Sequence, residues 1–412
     1  MVKFISFLST FLFAFITLVA QVTDPAVTSW IQTPGQTGYG GYASNVQQVQ
    51  YTNTDVYVTC TCIPGYDVGP WAGNPNIPAN QNFCFKITRN PQQNTGTKTA
   101  TPLGHVGVWT NGVSIFNARD AISYNNQNVW HQDALPNEGS SFDNCLGHPA
   151  PNGEYHHHVN PQCLYDYNNS SVHSPIIGYA FDGFPIYGAF GYTNTNGTGA
   201  ITRMKTGYRL RSISTRTTLP DGSTAASAGP VVSAQNPLGK YLEDYEYVQG
   251  LGDLDEHNGR FCVTPEYPNG IYAYFVTVDE DLNPVYPYTV GPTYYGTVQQ
   301  GNTGPQSGHN TVPSGATTYQ NITAINDIAL IKLEVFPSPV SNFLTVNMSS
   351  LPASSSREVV IRSVGWFGNT MDSFSTSDEI ATIPVESYPS GIYLVRVTDG
   401  SGATYKKPFV KL

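Results

Sequence analysis

Histidines concentrate in one stretch of the chain. Residues 143–188 hold five of the nine histidines, and a single residue separates His156 from His158. Side chains alternate between the two faces of a β-strand, so the sequence predicts that these two imidazoles lie on one face. Imidazole nitrogens are common ligands of borderline metal ions, and two on one rigid strand can bind the same cation.

A metal ion needs more than two ligands, and the same stretch supplies further donors. We expect His148 and Asp182 to complete a site with His156 and His158. Imidazoles with one carboxylate suit zinc or copper. An open coordination position on such an ion would polarise a bound water or substrate, which permits hydrolytic or oxidative chemistry.

Other residues of this stretch are expected to support the site. Tyr155, His157 and Tyr187 are candidates for contacts with the ligands or with a substrate. Cys145 and Cys163 are the favoured disulfide pair, because their bond would close the loop that contains the histidine strand and hold its ends.

The competing interpretation is that these histidines are hydrogen-bonded members of a tyrosine-rich core. Asp182 is followed by glycine, and an Asp-Gly pair also forms turns between strands. The remaining histidines outside the stretch are interpreted as structural or surface groups: His105, His131, His257 and His309. For His156, His158 and His148 together, the metal and the structural interpretations stay open.

The N-terminus has the features of a secretory signal peptide over residues 1–20. Lys3 supplies a positive charge, an apolar run follows, and Ala20 ends it. The run is shorter than the roughly 20 apolar residues of a membrane span, so we expect cleavage after Ala20 and no transmembrane segment in the mature chain. An exported chain also forms disulfides, and Cys60 and Cys62 are each expected to pair elsewhere, with Cys84 and Cys262 as candidates.

Composition indicates a mainly β fold and excludes one class of partner. Charged residues are only 12% of the chain and aromatic residues are also 12%, with 27 tyrosines and many Gly and Pro, as in loop-rich β proteins. The formal net charge is −10. Nucleic acid is therefore not an expected partner, because phosphate binding requires clustered Lys and Arg.

The pattern along the chain predicts two folded units. Residues 21–50 are a polar lead-in, and residues 51–296 alternate like the strands of a loop-rich, disulfide-containing β domain. Residues 297–328 are nearly uncharged and rich in Gly, Thr and Asn, which is typical of a flexible linker. Residues 329–412 contain short alternating runs at regular spacing, which predict a small C-terminal β-sandwich.

The C-terminal runs carry a resemblance to a known domain. Val335-Phe336-Pro337-Ser338-Pro339, Gly391 to Val397 and the final Phe409-Val410-Lys411-Leu412 resemble the type A sorting domain of the type IX secretion system. This resemblance implies the type IX machinery as a partner, a Bacteroidetes-type bacterium as source, and a secreted or outer-surface location.

Residues 51–296 resemble the YHYH family. The motif is present as Tyr155-His156-His157-His158, with Gly147-His148-Pro149, the segment from Asp182 to Gly188, and Leu254 to Arg260 around it. His157 replaces the second tyrosine of the motif, which leaves both motif histidines in place. The family has no established activity, so the resemblance implies a fold neighbourhood and does not decide whether the protein is an enzyme.

A binding module is the alternative function. Tyrosines together with Trp71, Trp109 and Trp130 would form a platform for a glycan or another small ligand, as in an adhesion protein with purely structural histidines. Calcium is a minor possibility at Asp253 and Asp255, where the spacing misses the calcium-loop pattern by one residue. The chain has no G-x-S-x-G, H-E-x-x-H or phosphate-binding loop motif, which excludes only those particular mechanisms.

Overall fold

The computed structural model describes residues 22–304, 306–320, 333–351, 353–363, 370–400 and 404–412. The chain divides into two compact units, Met1–Asn321 and Ile322–Leu412. The expected signal peptide, residues 1–20, lies outside the described residues and stays a prediction.

Strands dominate the first unit, which confirms the expected mainly β fold. Its α-helices are short, α1 (Pro25–Thr28) and α2 (Ala134–Glu138). Its strands are β1 (Val46–Tyr51), β2 (Asp55–Cys60), β3 (Phe83–Thr88), β4 (His105–Trp109), β5 (Ser114–Phe116), β6 (Arg119–Ser123), β7 (His131–Asp133), β8 (Gly147–Pro149), β9 (Tyr155–His157), β10 (Ile176–Ala180), β11 (Pro185–Tyr187), β12 (Phe190–Tyr192), β13 (Ile201–Arg203), β14 (Tyr208–Leu210), β15 (Tyr245–Tyr247), β16 (Gly259–Cys262), β17 (Ile271–Phe275) and β18 (Thr317–Thr318).

An eight-stranded mixed sheet forms the centre of this unit, in the order β16-β17-β11-β10-β4-β5-β9-β8. Every residue of β4, β9 and β10 is buried, as expected for strands covered on both faces. The β4–β5 hairpin turns at the predicted Asn-Gly pair, where Gly112 has φ +82°, a conformation that glycine adopts without steric cost. The histidine strand β9 lies near one end of this sheet, between β5 and β8.

The lead-in, residues 21–50, is more structured than we expected. It contains α1 and the start of β1, which pairs with β2 in a four-stranded sheet of order β18-β1-β2-β3. Trp30 is 3% exposed, and its indole N–H donates to the carbonyl of Ala26 at 2.7 Å. Trp30 fixes this segment to the core, and the otherwise polar composition of the segment gave no indication of it.

The flexible linker expected at residues 297–328 is not what the structure shows for residues 297–304 and 306–320. Thr317 pairs with Tyr51 of β1. The side-chain amide of Asn302 accepts from the backbone N–H of Lys86 and donates to its carbonyl, at 3.0 and 2.6 Å. The polar side chains that suggested flexibility instead satisfy the backbone of sheet edges. Residues 321–328 lie outside the described residues.

A disulfide joins Cys145 and Cys163, as predicted, and closes the loop that contains β9. The other expected disulfides are absent, because Cys60, Cys62, Cys84 and Cys262 are free. On the paired strands β2 and β3, Cys84 lies opposite Thr59 and Cys60 lies opposite Phe83. Neighbouring residues on a strand point to opposite faces, so the register directs the two thiols apart.

The second unit is built from two sheets around one core. Its strands are β19 (Glu334–Phe336), β20 (Phe343–Asn347), β21 (Arg357–Ser363), β22 (Thr370–Thr376), β23 (Ile380–Pro384), β24 (Gly391–Asp399) and β25 (Thr404–Lys411). The sheets have the orders β19-β20-β23 and β22-β21-β24-β25. Alternate side chains of β20, β21 and β24 fill the core, including Leu344, Val346, Val359, Ile361, Val395 and Val397. This is the small sandwich that the alternating runs predicted.

Candidate metal centre

Strand register brings three histidines together. In the antiparallel pair β8–β9, His148 lies directly opposite His156, so their side chains share one face of the sheet. His158 follows His156 by two residues and points to the same face. Ligand atoms of these three residues all lie within 4.8 Å of one another. Cross-strand pairing of His148 with His156, and alternation of side chains between His156 and His158, therefore bring the three candidate ligands to one face of the sheet.

The three imidazoles meet through their Nε2 atoms. Nε2 of His156 lies 3.1 Å from Nε2 of His148 and 3.1 Å from Nε2 of His158. Each ring turns its Nδ1 atom away from this centre, toward a separate hydrogen-bond partner. The cluster thus presents three nitrogens to one point.

The outward partners fix which ring nitrogen carries the proton. Nδ1 of His156 donates to the carbonyl of Glu154 at 3.1 Å, and Nδ1 of His158 donates to the carbonyl of Asn117 at 2.6 Å. The hydroxyl of Ser141 donates to the carbonyl of Glu138, so it accepts from Nδ1 of His148 at 2.8 Å. A neutral imidazole protonated at Nδ1 has its lone pair at Nε2. The inward nitrogens of His156 and His158 are therefore free to bind a cation, and His148 offers its Nε2 atom in the same tautomer.

Burial keeps the three imidazoles neutral. They are 2–4% exposed, and the ring of Phe116 stacks on His156 with centroids 3.8 Å apart. Desolvation lowers the pKa of His148 to about 4. Burial also lowers the pKa of His156, which the neighbouring histidines lower further, and burial lowers the pKa of His158 despite the opposing charge of Glu138. Neutral imidazole is the form that binds metals, so the site holds its ligands ready at neutral pH.

The histidines line an open cleft of ≈ 580 Å³ that also contains carboxylates. Oε2 of Glu138, the last residue of α2, lies 3.2 Å from Nε2 of His148. Asp120 of β6 lines the same cleft, and burial followed by the charge of Glu138 raises its pKa to about 6. Sequence analysis missed both carboxylates, because no spacing or motif connects α2 and β6 to the histidine strand.

Comparison with known proteins identifies both units. Residues 84–287, which contain the three histidines, match the family model described as YHYH protein. The chain therefore contains a YHYH domain over these residues. Residues 334–411 match the model described as secretion system C-terminal sorting domain. This YHYH protein is therefore exported, through a sorting domain that engages the type IX machinery, and is secreted or held at the outer cell surface.

Other similarities are remote. No curated protein matches the chain. Among solved structures, a DUF3244 family protein with an immunoglobulin-like β-sandwich fold from Bacteroides vulgatus is 14% identical, over 20% of this chain and 96% of that chain, with a TM-score of 0.17. PorZ, a surface component of the type IX secretion system of Porphyromonas gingivalis, is 11% identical, over 93% of this chain and 61% of that chain, with a TM-score of 0.17. At this TM-score neither protein informs the function of the YHYH unit.

Asp182, expected as a fourth ligand, lies outside the histidine cluster. Its Oδ2 accepts from the hydroxyl of Tyr274 at 2.6 Å and from the N–H of Gly296 at 2.8 Å. Asp182 follows β10, and three strand spacings of about 4.8 Å each separate β10 from β9 in the sheet. Closeness in sequence was misleading here, because the chain crosses the sheet between His158 and Asp182.

The residues expected to support the site lie elsewhere in this YHYH protein. Tyr155 and His157 point to the opposite face of β9, where their rings are 5.2 Å apart and the hydroxyl of Tyr155 donates to Asp143. The hydroxyl of Tyr187 interacts with Thr264 and Glu266. The groups that contact the three ligands are instead Ser141, Glu138, and the carbonyls of Asn117 and Glu154.

The minor calcium site and the tryptophan platform gain no support. Oδ1 of Asp255 accepts from the hydroxyl of Tyr272 and from two backbone N–H groups, and Oδ2 of Asp253 accepts from the N–H of Lys205. Trp109 and Trp130 are 0% and 1% exposed, so they cannot present rings to a glycan. Trp71 is half-buried and packs on Tyr39 and Tyr155. In the described part of the chain, none of the helices has the length and hydropathy that crossing a membrane requires.

Proposed function

We propose that this exported YHYH protein is a metal-binding protein whose centre is formed by His148, His156 and His158. Zinc and copper are the ions that suit three neutral imidazoles, because nitrogen ligands favour borderline cations over calcium or magnesium. Glu138, 3.2 Å from His148, is the carboxylate placed to approach such an ion.

One observation carries the proposal, the contact between the inward nitrogens. Nε2 of His156 lies 3.1 Å from Nε2 of His158, and both rings donate their Nδ1 proton to backbone carbonyls. Two neutral rings in these tautomers face one another with lone pairs, which forms no hydrogen bond. Burial disfavours a proton as the bridging charge, because it lowers the pKa of both rings. A divalent cation between the two nitrogens would replace the repulsion of their lone pairs with two coordination bonds.

The cleft gives the centre a possible chemistry beyond storage of the ion. Bound zinc or copper acts as a Lewis acid toward a water or substrate in an open coordination position. The cleft beside the three histidines also contains the carboxylates of Glu138 and Asp120, which could accept a proton from a bound water. Aromatic rings of Phe116 and Phe142 pack against the ligands and hold their orientation.

Metal content of the full chain tests the proposal. The purified protein, loaded with Zn²⁺ or Cu²⁺ and dialysed, is expected to retain one ion per chain by inductively coupled plasma mass spectrometry. A His156→Ala/His158→Ala variant is expected to retain none. His157→Gln is the matched control, because His157 lies on the same strand and faces away. Equal metal content in the double variant, or none in the unaltered protein, would refute the centre.

A further inference from the structure

A second polar cluster of the first unit brings together a hydroxyl, an imidazole and a carboxylate. Nε2 of His105 lies 2.8 Å from Oγ of Ser307, and Nδ1 of His105 lies 3.0 Å from Oε1 of Glu154. His105 is 8% exposed and Glu154 is 5% exposed, whereas Ser307 is half-buried. Ser-His-carboxylate is the arrangement in which an imidazole base, oriented by a carboxylate, activates a serine hydroxyl.

Three separate parts of the chain converge to build this cluster. His105 opens β4 and Glu154 immediately precedes β9. Ser307 belongs to the segment after residue 296, which is fixed to β3 because the backbone N–H of Asn310 and its side-chain amide both donate to the carbonyl of Cys84. Gln306 has φ +59°, an uncommon conformation for a residue with a side chain. The sharp turn at Gln306 presents the Ser307 hydroxyl to the imidazole.

Packing fixes the imidazole plane. The rings of Phe83, Phe85 and Phe181 contact the His105 ring edge-on, with centroids 5.4–5.7 Å apart. These rings and the hydrogen bond to Glu154 hold the imidazole in an orientation in which Nε2 points toward Ser307. A base held in this way can take a proton from the hydroxyl with little reorganisation.

The cluster opens to a cleft that can admit a substrate. The cleft measures ≈ 750 Å³, and its walls include Gln81, Phe83, Leu103, Asn152 and Gln306. This volume lies in the range of small-molecule sites. The wall combines apolar side chains with side-chain amides, among them that of Gln306, which precedes the serine in the chain.

The serine proton has two available acceptors. Oγ of Ser307 lies 2.7 Å from the carbonyl of Gly304, to which it donates in this structure, and 2.8 Å from Nε2 of His105. A hydroxyl carries one proton and rotates about its C–O bond. In the tautomer that carries its proton on Nδ1, toward Glu154, His105 has a lone pair at Nε2, and the reactive arrangement forms when the hydroxyl proton rotates to that atom.

We propose that Ser307 and His105 form a second site that hydrolyses small carboxylic esters, with Glu154 as the positioning residue. Oγ attacks the ester carbonyl carbon while Nε2 of His105 takes the hydroxyl proton. The imidazolium then returns this proton to the departing alkoxide, which leaves as an alcohol. Water, deprotonated by His105, releases the acyl group from Ser307 as a carboxylic acid and restores the serine.

Labelling with a fluorophosphonate tests the nucleophile directly. The full chain is treated with the probe, in which a bond from Oγ to phosphorus displaces fluoride, and the labelled peptide is identified by mass spectrometry. The expected result is labelling at Ser307 that is lost in Ser307→Ala and in His105→Ala. Thr303→Ala, in the same segment, is the matched control and keeps the label. An unlabelled Ser307 in the unaltered folded protein would overturn the proposal, whatever the variants do.

Hydrolysis of p-nitrophenyl acetate tests the base and its positioning. His105→Ala is expected to lower kcat by a factor on the order of 10² to 10⁴, the usual contribution of a general base. Glu154 contacts the imidazole and also lines the cleft, so Glu154→Gln is expected to lower kcat by a larger factor than it changes KM. Treatment of the unaltered protein with a metal chelator should leave the esterase activity in place, which separates this site from the metal centre. Unchanged kcat in both His105→Ala and Ser307→Ala would contradict the proposal.

Discussion

Nε2 of His156 lies 3.1 Å from Nε2 of His158, while each ring donates its Nδ1 proton to a backbone carbonyl. This relationship distinguishes a ligand pair from two core histidines. A buried structural histidine normally uses one nitrogen as donor and the other as acceptor of a protein hydrogen bond. Here the second nitrogens of both rings face a shared point that is also faced by His148.

Zinc binding should displace few protons at mildly acidic pH. At pH 5.5 three ordinary histidines with a pKa near 6.5 would each carry about 0.9 proton. Burial lowers the pKa of His148 to about 4 and also lowers that of His156 and His158, so the three rings together carry fewer protons at this pH than ordinary histidines would. Calorimetry in two buffers of different ionisation enthalpy should therefore detect clearly fewer protons than the nearly three that ordinary histidines would release. Release of about three protons would contradict a ligand set held neutral by burial.

Glu138 should contribute to affinity for the ion. Its Oε2 lies 3.2 Å from Nε2 of His148, so Glu138→Gln removes a negative charge beside the centre. Groups that surround metal ligands typically change affinity by about 10- to 100-fold. Zinc titration against a chromogenic chelator should show a larger dissociation constant for Glu138→Gln than for the unaltered protein. The control variant Glu280→Gln, at an exposed position, should have the dissociation constant of the unaltered protein. Equal affinities for both variants would remove Glu138 from the site.

Asp182 should affect stability and not metal content. Its carboxylate accepts from Tyr274 and Gly296, and loss of a charged acceptor in a buried network costs about 1–3 kcal/mol. Urea unfolding of Asp182→Asn should show this loss, while the variant keeps one ion per chain. Loss of the ion from a folded Asp182→Asn protein would restore Asp182 as a ligand.

The disulfide should stabilise the unit that carries the centre. Cys145 and Cys163 are 18 residues apart in sequence, and closing a loop of this length contributes about 3 kcal/mol by restricting the unfolded chain. Denaturant unfolding of Cys145→Ala/Cys163→Ala should show a decrease of this size. Cys262→Ala is a control that removes a free thiol. A double variant as stable as that control would show that the loop is restrained by other contacts.

Local rules were sufficient for much of this structure. The Asn-Gly pair before β5, the alternation in β20, β21 and β24, and the shared face of His156 and His158 follow from the period of two along a strand. The disulfide that closes the histidine loop was also predictable. Each of these features depends on residues that are close in sequence or on a single pairing.

The errors arose where distant segments meet. Asp182 was assigned to the site because it is near His158 in sequence, although the strand order separates them. Glu138 and Ser307 reach their histidines from α2 and from the supposed linker, and no spacing in the sequence connects them. Single-sequence patterns specify the face of a strand, whereas the order of strands in a mixed sheet decides which faces share a cleft.

X-ray absorption at the metal K-edge of the zinc-loaded full chain tests the central claim most directly. The account predicts three imidazole nitrogens at about 2.0 Å from the ion, with their multiple-scattering signature, and no sulfur. Spectra with fewer than three imidazoles, or with sulfur ligands from the free cysteines, would contradict a centre formed by His148, His156 and His158.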